Sequence, residues 1–280
     1  MVLEPGPAEV LNPAAALVVA AGNDRISVVG ASKVYETKTA SVHALENFSL
    51  GVRDGEFVCV LGPSGCGKTT LLWAMSGLHA LSSGHVLLDG EPVTGPRPEK
   101  IGMVFQDANL LPWRNLGENI AFPFEIKGTK PDRDRVAALL AETGLADFEK
   151  SFPRELSGGM QQRASIVRAL AQDPAVLLMD EPFGALDAFT RDEMNLLLLK
   201  LWSESRKTAV FVTHNVAEAI FLADRVVVMT ARPGRLARTF VIELPRPRTV
   251  EMTFEPGFIE LIQEIKATVE GGGIHGLEVE

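Results

Sequence analysis

The sequence has few cysteines and no long apolar run. Its 280 residues include only two cysteines, Cys59 and Cys66, which do not suggest a disulfide framework and favour a reducing compartment. The longest uninterrupted apolar run covers residues 14–21, whereas a membrane-spanning helix needs roughly 18 or more such residues. No basic segment precedes that run, which argues against a signal peptide. We therefore expect a cytoplasmic chain whose residues 1–25 form a poorly ordered extension.

Positive charge is also scarce. The chain has 27 Lys and Arg residues against 36 Asp and Glu residues, which gives a net charge of −9. Affinity for nucleic acid comes mostly from basic residues that release counterions from phosphates, so we expect no nucleic-acid partner. Hydrophobic residues make up 46% of the sequence, which is enough for a full core in one large domain or two small ones.

Short apolar runs alternate with helical patterns along the chain. The runs cover residues 56–61, 175–179, 208–212 and 226–229. Residues 190–205, between the second and third runs, carry apolar side chains at the spacing of one buried helix face. This alternation predicts an α/β fold with a largely parallel sheet and flanking helices. Residues 107–165 contain helical stretches without a long strand, and we assign them to a helical insertion.

The C-terminal segment, residues 251–280, predicts an amphipathic helix followed by an acidic tail. Phe258, Leu261 and Ile265 belong to a series of apolar side chains at helical spacing, which ends at a run of three glycines. Such a helix packs on its own domain or docks on a partner. The sequence leaves both possibilities open.

A glycine-rich turn follows the first apolar run and precedes a helical segment. It fits the pattern GxxxxGK[ST] at every fixed position, with Gly62, Pro63, Ser64, Gly65, Cys66, Gly67, Lys68 and Thr69. Glycines let consecutive backbone N–H groups point at phosphates, and the following helix presents its positive N-terminus. Lys68 adds a point charge, the Thr69 hydroxyl can ligate Mg²⁺, and Thr70 belongs to the same nucleotide-binding set. We interpret Cys66 as a small loop residue, with a redox switch as the alternative.

Residues 176–181 predict a buried strand that ends in two adjacent carboxylates, Asp180 and Glu181. Neighbouring residues at a strand end point to opposite sides, so one can serve the metal while the other faces a water molecule. We assign Asp180 to the metal and Glu181 to the general base. His214 and Gln106 also follow predicted strands, but a lone residue of either type at such a position is more often structural than functional.

A second candidate anion site lies 17 residues before Asp180. In the sequence LSGGMQQR at 156–163, Ser157 is a good N-cap, and Gly158 and Gly159 leave the first helical N–H groups accessible. One nucleotide needs only one cradle. A second cradle therefore suggests a nucleotide that is bound by another subunit.

Together these motifs resemble the ATPase subunit of an ABC transporter. LSGGMQQR is highly specific beside GPSGCGKT and VLLMDE, and the resemblance covers about residues 26–270. It implies an ATPase that uses ATP and Mg²⁺, built as a P-loop NTPase core with an N-terminal antiparallel β subdomain and the helical insertion. The ABC ATPase domain would occupy residues 26–250.

The resemblance also implies roles for single residues. Tyr35 would stack on adenine, and the alternative is that it is a surface strand residue. Gln106 would contact Mg²⁺ and the attacking water. Asp187 would lie in the loop that crosses the interface of an ATP-sandwich dimer between two copies of the chain, and His214 would contact the γ-phosphate. No substitution in these motifs suggests a non-hydrolysing site.

Three less specific segments resemble importers for nitrate, sulfonates and taurine: residues 95–100, 110–113 and 244–248. Such importers combine the ATPase with a membrane permease and an extracytoplasmic solute-binding protein, and the chain would sit at the cytoplasmic face of the plasma membrane. Trp113 is either a permease contact or a core residue of the insertion. Arg246 and Arg248 are expected in a solvated extended segment.

Two other functions compete with the importer. A soluble ABC ATPase of nucleic-acid repair or translation usually carries a coiled-coil insertion or two tandem ATPase units, whereas this chain has one GxxxxGK[ST] loop, no heptad run and an acidic composition. A small P-loop kinase or GTPase leaves LSGGMQQR unexplained, and the sequence lacks the guanine motif NKxD.

Overall fold

The computed structural model describes residues 24–36 and 40–271, which form two β-sheets and seven α-helices. The strands are β1 (Asp24–Glu36), β2 (Ser41–Arg53), β3 (Phe57–Leu61), β4 (Ser83–Leu88), β5 (Glu91–Pro92), β6 (Ile101–Val104), β7 (Val176–Asp180), β8 (Thr208–Thr213), β9 (Arg225–Met229) and β10 (Leu236–Val241). The helices are α1 (Lys68–Met75), α2 (Leu116–Lys127), α3 (Arg133–Glu142), α4 (Gly158–Ala171), α5 (Ala188–Ser205), α6 (Val216–Leu222) and α7 (Pro256–Gly271). In this part of the chain, no helix is long and apolar enough to cross a membrane.

The larger sheet has the strand order β10-β9-β3-β8-β7-β6, and all its neighbouring pairs are parallel except β10 with β9. Strand β3 is buried along its whole length, with Cys59 and Leu61 in one hydrophobic cluster and Val58 and Val60 in another. Both faces are therefore covered, as parallel sheets require. Helices α4 to α7 contribute to the first cluster, and α1 and the second sheet contribute to the other. The fold is the predicted α/β architecture.

The second sheet is antiparallel, in the order β2-β1-β4-β5, and forms the N-terminal subdomain. The sequence suggests a turn at Gly30, but β1 continues through this residue. Gly30 has a φ of 57°, and the pairing of β1 with β2 shifts between Val28 and Ala31. Gly30 is therefore the site of a β-bulge, where a positive φ favours glycine.

The first strand begins earlier than the sequence predicts. Residues 24 and 25, expected in the N-terminal extension, belong to β1. Arg25 lies 2.9 Å from Asp54 and 2.5 Å from Asp89, and these contacts join β1 to the turns that follow β2 and β4. The remainder of the predicted extension, residues 1–23, lies outside the described residues.

The helical insertion lies between β6 and β7. Helices α2, α3 and α4 share a small core of their own, made by Leu116, Ile120, Leu140, Leu145, Ala164, Val167 and Ala171. Asn115 caps α2 through a capping box with Glu118, and Gly128 ends the helix in the left-handed conformation. Helix α4 runs to Ala171, beyond the predicted limit at residue 165, and also contacts β6.

Helix α7 is packed on its own domain. Phe258 and Ile265 are buried in the main cluster, and the helix contacts α6 and β9. The apolar face that could have docked on a partner is therefore occupied. The acidic tail expected after it, residues 272–280, lies outside the described residues.

The expectation of a solvated segment around Arg246 and Arg248 is wrong. The Arg248 side chain is 5% exposed, and its Nη1 donates at 2.8 to 2.9 Å to the carbonyls of Ile220, Phe221 and Ala223. These carbonyls lie at the C-terminal end of α6, where helix carbonyls have no partner within the helix. Burial lowers the pKa of Arg248 to about 10, so its guanidinium remains charged at neutral pH. Arg248 thus serves as the C-terminal clamp of α6.

We expect Arg248→Met to lower the free energy of unfolding by about 2–4 kcal/mol, because it leaves buried carbonyls without donors. Denaturant unfolding measures the change. Arg235→Met is the control, since Arg235 is 56% exposed in its pair with Glu46, and we expect a change of less than about 1 kcal/mol there. Equal small effects for the two variants would contradict the clamp.

Candidate active site

The glycine-rich loop, residues 62–69, connects β3 to α1 as predicted. Gly65 and Gly67 have φ values of 74° and 102°, in the region that favours glycine. A Cβ on Gly67 would also lie 2.6 Å from the carbonyl oxygen of Ala44 in β2, so the loop approaches the antiparallel sheet too closely for any side chain there. The loop therefore forms a tight backbone cradle at the start of a helix, the arrangement that binds phosphates.

Lys68 lies inside this cradle. Its side chain is 5% exposed, and Nζ donates to the carbonyls of Gly62 at 2.9 Å and Pro63 at 3.1 Å. Its Nζ also lies 3.5 Å from Oε1 of Glu181, at the end of β7. The ammonium group is therefore shared between the loop and the carboxylate that follows β7, which is separated from β3 by β8 in the sheet.

The carboxyl ends of β7 and β8 bring three more predicted residues to the loop. The Thr69 hydroxyl donates to Oδ1 of Asp180 at 3.1 Å, and Nδ1 of His214 lies 2.7 Å from Oε2 of Glu181. Glu181 has a φ of 42°, an uncommon conformation for a residue other than glycine. Burial, the largest effect, raises the pKa of Asp180, and the nearby Glu181 adds to that shift. Lys68, Thr69, Asp180, Glu181 and His214 thus form one polar cluster.

Tyr35 lies near this cluster, on β1. Its hydroxyl is 3.5 Å from Oγ1 of Thr70 in α1 and 3.4 Å from Nδ1 of His79. The Lys33 ammonium lies 5.0 Å from the centre of the tyrosine ring. The aromatic ring therefore stands beside the first turn of the helix that follows the cradle.

Gln106 lies two residues beyond the end of β6, and its side chain is exposed. Strand β6 pairs with β7 in parallel, with Val104 opposite Met179, so Gln106 and Asp180 follow neighbouring strand ends. Gln162 in α4 donates to the carbonyl of Phe105 and links this segment to the helical insertion. Gln106 thus lies where the insertion joins the candidate site.

Ser157, Gly158 and Gly159 form a second group with Asp187. Ser157 caps α4 by accepting a hydrogen bond from the N–H of Met160 at 3.3 Å. Asp187 caps α5 and accepts two bonds from Thr190, while a Cβ on Gly159 would lie 3.0 Å from Thr190 Cγ2. Among the described residues, no hydrogen bond or ion pair joins this group to residues 62–69. Of the predicted site residues, these four therefore stand apart.

Sequence reasoning missed two residues that hold the cradle. Arg232 donates through Nε to the carbonyl of Gly65 at 3.1 Å. A Cβ on Gly234 would lie 2.1 Å from the carbonyl oxygen of Cys66, so only glycine fits against the loop. Both follow β9, more than 160 residues after the loop, and no local pattern marks them. The contacts arise only because β9 pairs with β3.

The oxygens of Thr69 and Asp180 are the donors that Mg²⁺ prefers in proteins. No cluster of three or more His, Cys, Asp and Glu side chains suited to a metal occurs in the described parts of the chain. A site with one or two protein oxygens fits Mg²⁺, because this ion usually keeps several waters and phosphate oxygens as ligands. The residues present therefore fit the predicted metal.

Cys66 is 1% exposed, and burial raises the pKa of its thiol. A buried thiol with a raised pKa has little thiolate character and reacts slowly. This environment favours the interpretation of Cys66 as a small loop residue over the redox switch.

Comparison with known proteins identifies close relatives. The family model described as "ABC transporter" matches residues 45–184. An aliphatic sulfonates import ATP-binding protein, SsuB of Bacillus cereus, is 44% identical over 89% of this chain and 97% of its own length. An uncharacterized ABC transporter ATP-binding protein, MJ0412 of Methanocaldococcus jannaschii, is 49% identical over 80% of this chain and 84% of its own length.

Solved structures of ABC proteins are also similar to this chain. The dimeric post-hydrolysis state of the ATP-binding cassette MJ0796, bound to ADP and Pi, superposes with a TM-score of 0.70 at 33% identity, covering 79% of this chain and 100% of that one. CbiO1 of Clostridium perfringens, part of the transporter complex cbiONQ, gives a TM-score of 0.70 at 27% identity, covering 85% of this chain and 93% of that one.

Removal of the Lys68 ammonium should weaken ATP binding. We expect Lys68→Ala to lower affinity roughly tenfold to a hundredfold, because a charge-assisted contact is lost. Lys68→Arg should also bind poorly, since the wider guanidinium does not fit where Nζ lies between two loop carbonyls. Titration of a fluorescent ATP analogue compares both variants with the wild type and with Lys266→Ala on the exposed side of α7. Equal affinities for all four proteins would exclude the loop as the binding site.

Proposed function

This chain belongs to the ABC transporter family as an ATP-hydrolysing, ATP-binding subunit, and we propose that it powers the import of a small solute such as a sulfonate, taurine or nitrate. The observation that carries the proposal is the cluster of Lys68, Thr69, Asp180, Glu181 and His214. It places the Glu181 carboxylate and the His214 imidazole beside the phosphate cradle, where they can serve ATP hydrolysis. The resemblance to SsuB supports the sulfonate class. No observation favours a role in nucleic-acid repair or translation, and the net charge of −9 opposes it.

The nucleotide would bind with its phosphates against residues 62–69 and its base on Tyr35. Lys68, now paired with loop carbonyls, would exchange these partners for β- and γ-phosphate oxygens. Mg²⁺, when bound, neutralises phosphate charge, and the residues that would hold it are Thr69 and Asp180, with Gln106 nearby. Because aromatic stacking tolerates different bases, we expect weak base selectivity.

Hydrolysis would depend on Glu181 and His214. Glu181 accepts the proton of the attacking water, a role that requires a carboxylate held at the edge of the phosphate cradle. His214, 2.7 Å from that carboxylate, orients it and contacts the γ-phosphate. The positive φ of Glu181 and the backbone bond from its N–H to Val212, at 3.0 Å, hold it in place before the substrate arrives.

A complete site would need a second copy of the chain. Ser157, Gly158 and Asp187 are exposed, and their group lies apart from the phosphate cradle. Phe189, beside Asp187, is 86% exposed. In an ATP-sandwich dimer, the helix N-terminus at Ser157 would lie against the nucleotide bound in the partner's cradle. Its free N–H groups would then donate to the phosphates. The dimeric state of the MJ0796 cassette supports this arrangement.

The permease would contact the loop around Trp113. This side chain is 71% exposed, which disfavours the core alternative. The loop itself is rigid: Asn119, fully buried, holds both the N–H and the carbonyl of Leu111, and Arg168 holds the carbonyls of residues 108 and 109 at 2.8 Å. A fixed, exposed tryptophan is a typical anchor of an interface. Such a contact would hold the chain at the cytoplasmic face of the membrane, where the permease receives solute from an extracytoplasmic binding protein.

Glu181→Gln tests the hydrolytic assignment. We expect ATP affinity to be retained and the turnover number to fall at least about a hundredfold, because an amide cannot accept the proton. ATP-bound dimers should accumulate, which light scattering coupled to size-exclusion chromatography detects. Glu243→Gln, at an exposed position, is the matched control. Turnover near the wild-type rate in Glu181→Gln would show that another group is the base.

Trp113→Ala tests the transport assignment. We expect ATP affinity and melting temperature to be unchanged, because the side chain is exposed, and uptake to fall roughly tenfold or more through loss of an interface anchor. The measurement is uptake of labelled taurine, alkanesulfonate or nitrate by proteoliposomes that contain the permease and the binding protein. Phe254→Ala, at a side chain that is 74% exposed, is the control. A lowered melting temperature with unchanged uptake would contradict the permease contact.

A further inference from the structure

Three hydrogen bonds form a closed ring around His214. The N–H of Asn215 donates to the Thr213 hydroxyl at 3.0 Å, the Thr213 hydroxyl donates through a short bond to Oε2 of Glu218, and the N–H of Glu218 donates to Oδ1 of Asn215 at 3.2 Å. His214 is the residue between Thr213 and Asn215. The ring thus fixes the backbone on both sides of the histidine.

This ring is an enlarged capping box. In the usual motif, the side chain of the third helical residue accepts a bond from the N–H of the N-cap residue. Here Asn215 is the N-cap of α6 and Glu218 is that third residue, but the Thr213 hydroxyl stands between the carboxylate and the N–H. A plain capping box would fix only the helix start. The inserted hydroxyl extends the restraint to the end of β8, so the histidine is bracketed by a strand and a helix.

The Glu218 carboxyl is buried more deeply than a cap requires. Its residue is 6% exposed, and Oε1 has no hydrogen-bond partner in the described structure. This oxygen belongs to a side chain that lines a cavity of about 170 Å³ between α5, α6 and the turn at 250–254. Asn195, 4% exposed, also lines the cavity, and its Oδ1 is likewise without a partner among the described residues. An ordinary surface cap would have both oxygens solvated.

We propose that Glu218 is a positioning residue for hydrolysis, which in its ionised form holds His214 against Glu181. An ionised carboxylate only accepts, so it obliges the Thr213 hydroxyl to donate to it and leaves the hydroxyl lone pair for the N–H of Asn215. A proton on Oε2 turns this oxygen from an acceptor into a donor, so the Thr213 hydroxyl loses the acceptor that the amide oxygen of a Glu218→Gln variant would still provide. The ring then loosens, and His214 loses its fixed distance to Glu181. The inference rests on the proposed role of His214.

The surroundings of the Glu218 carboxyl shift its ionisation towards neutral pH. Burial, the largest effect, raises the pKa of Glu218 to about 7, and the Glu181 carboxylate acts in the same direction. The Thr213 hydrogen bond, Arg191 of α5 and His214 lower it. Two further titratable groups face this region, Asp192 of α5, which lines the same cavity, and the thiol of Cys59 in β3, whose pKa is raised well above its usual value by burial.

The test compares pH profiles of ATP hydrolysis for the wild type, Glu218→Gln and the control Glu260→Gln, which changes an exposed residue of α7. We expect the turnover number of the wild type to fall as pH decreases through about 7, with KM within about twofold. Glu218→Gln keeps an acceptor oxygen but cannot titrate. Its profile should lack the part of the acid limb that Glu218 contributes. Identical profiles for Glu218→Gln and the control would overturn the proposal.

Thr213 offers a second variant that leaves the carboxyl in place. Thr213→Val removes the hydroxyl at constant volume and should lower the turnover number roughly tenfold to a hundredfold, because small misplacements of a catalytic group have effects of this size. Thr213→Ser restores the hydroxyl and should recover most of the activity. Wild-type turnover in Thr213→Val would contradict the ring as the restraint.

His214→Ala separates this inference from the proposed function. If Glu218 acts through His214, then Thr213→Val should cause no further loss of turnover in the His214→Ala background. An additive loss would overturn the positioning role and leave the role of His214 intact. Full activity of His214→Ala would instead overturn the role of His214 and, with it, the inference built upon it.

Thermal unfolding supplies a readout that does not depend on activity. Because the pKa of Glu218 is raised by folding, from 4.5 to about 7, its stabilising contribution is fully present below about pH 4.5 and is lost as pH rises through about 7. Glu218→Gln lacks this loss. We expect its melting temperature to rise relative to the wild type between about pH 5 and 8. A constant difference over that interval would show that Glu218 does not titrate there, and the pH dependence of the proposal would fail.

Discussion

The parallel pairing of β3, β7 and β8 is the constraint on which the candidate site depends. The register places Leu61, the last residue before the glycine-rich loop, opposite Thr213, and Asp180 opposite Val212. The loop, the two carboxylates and His214 therefore emerge at one edge, although the loop precedes the carboxylates by more than 100 residues in the sequence. A slip of one residue would turn every side chain of a strand to the opposite face and would disrupt the packing of both hydrophobic clusters. Packing of the sheet thus sets the relative positions of the candidate site residues.

The sequence predicts the parts of the site that lie in local motifs. Residues 62–69 are recognisable because glycine, lysine and threonine recur at fixed positions, and Glu181 because it ends an apolar run. Apolar runs likewise predict the parallel strands, because a strand that is buried on both faces consists almost entirely of hydrophobic residues. A lone glycine such as Gly30 marks either a turn or a bulge, and the sequence alone does not distinguish the two.

The remaining features depend on distant contacts. The role of Arg248 at the end of α6 requires a chain reversal after β10, and a pair of arginines between prolines gives no local signal of burial. Gly234 is needed only because the phosphate loop lies against it. Glu218 could be recognised from sequence as the third residue of a capping box, but neither the inserted Thr213 hydroxyl nor the cavity beside it has a sequence signature. Such contacts are set by tertiary packing rather than by propensity.

Helix α4 makes contacts with other segments near both of its ends. Near its C-terminal end, Arg168 holds the carbonyls of residues 108 and 109, which precede the exposed Trp113. At its N-terminal end, Gly159 lies against Thr190, which is bound to Asp187. Fourteen residues of α-helix span about 21 Å and transmit displacement with little bending. Direct contacts therefore connect the loop that precedes Trp113, through α4, with the turn at Asp187.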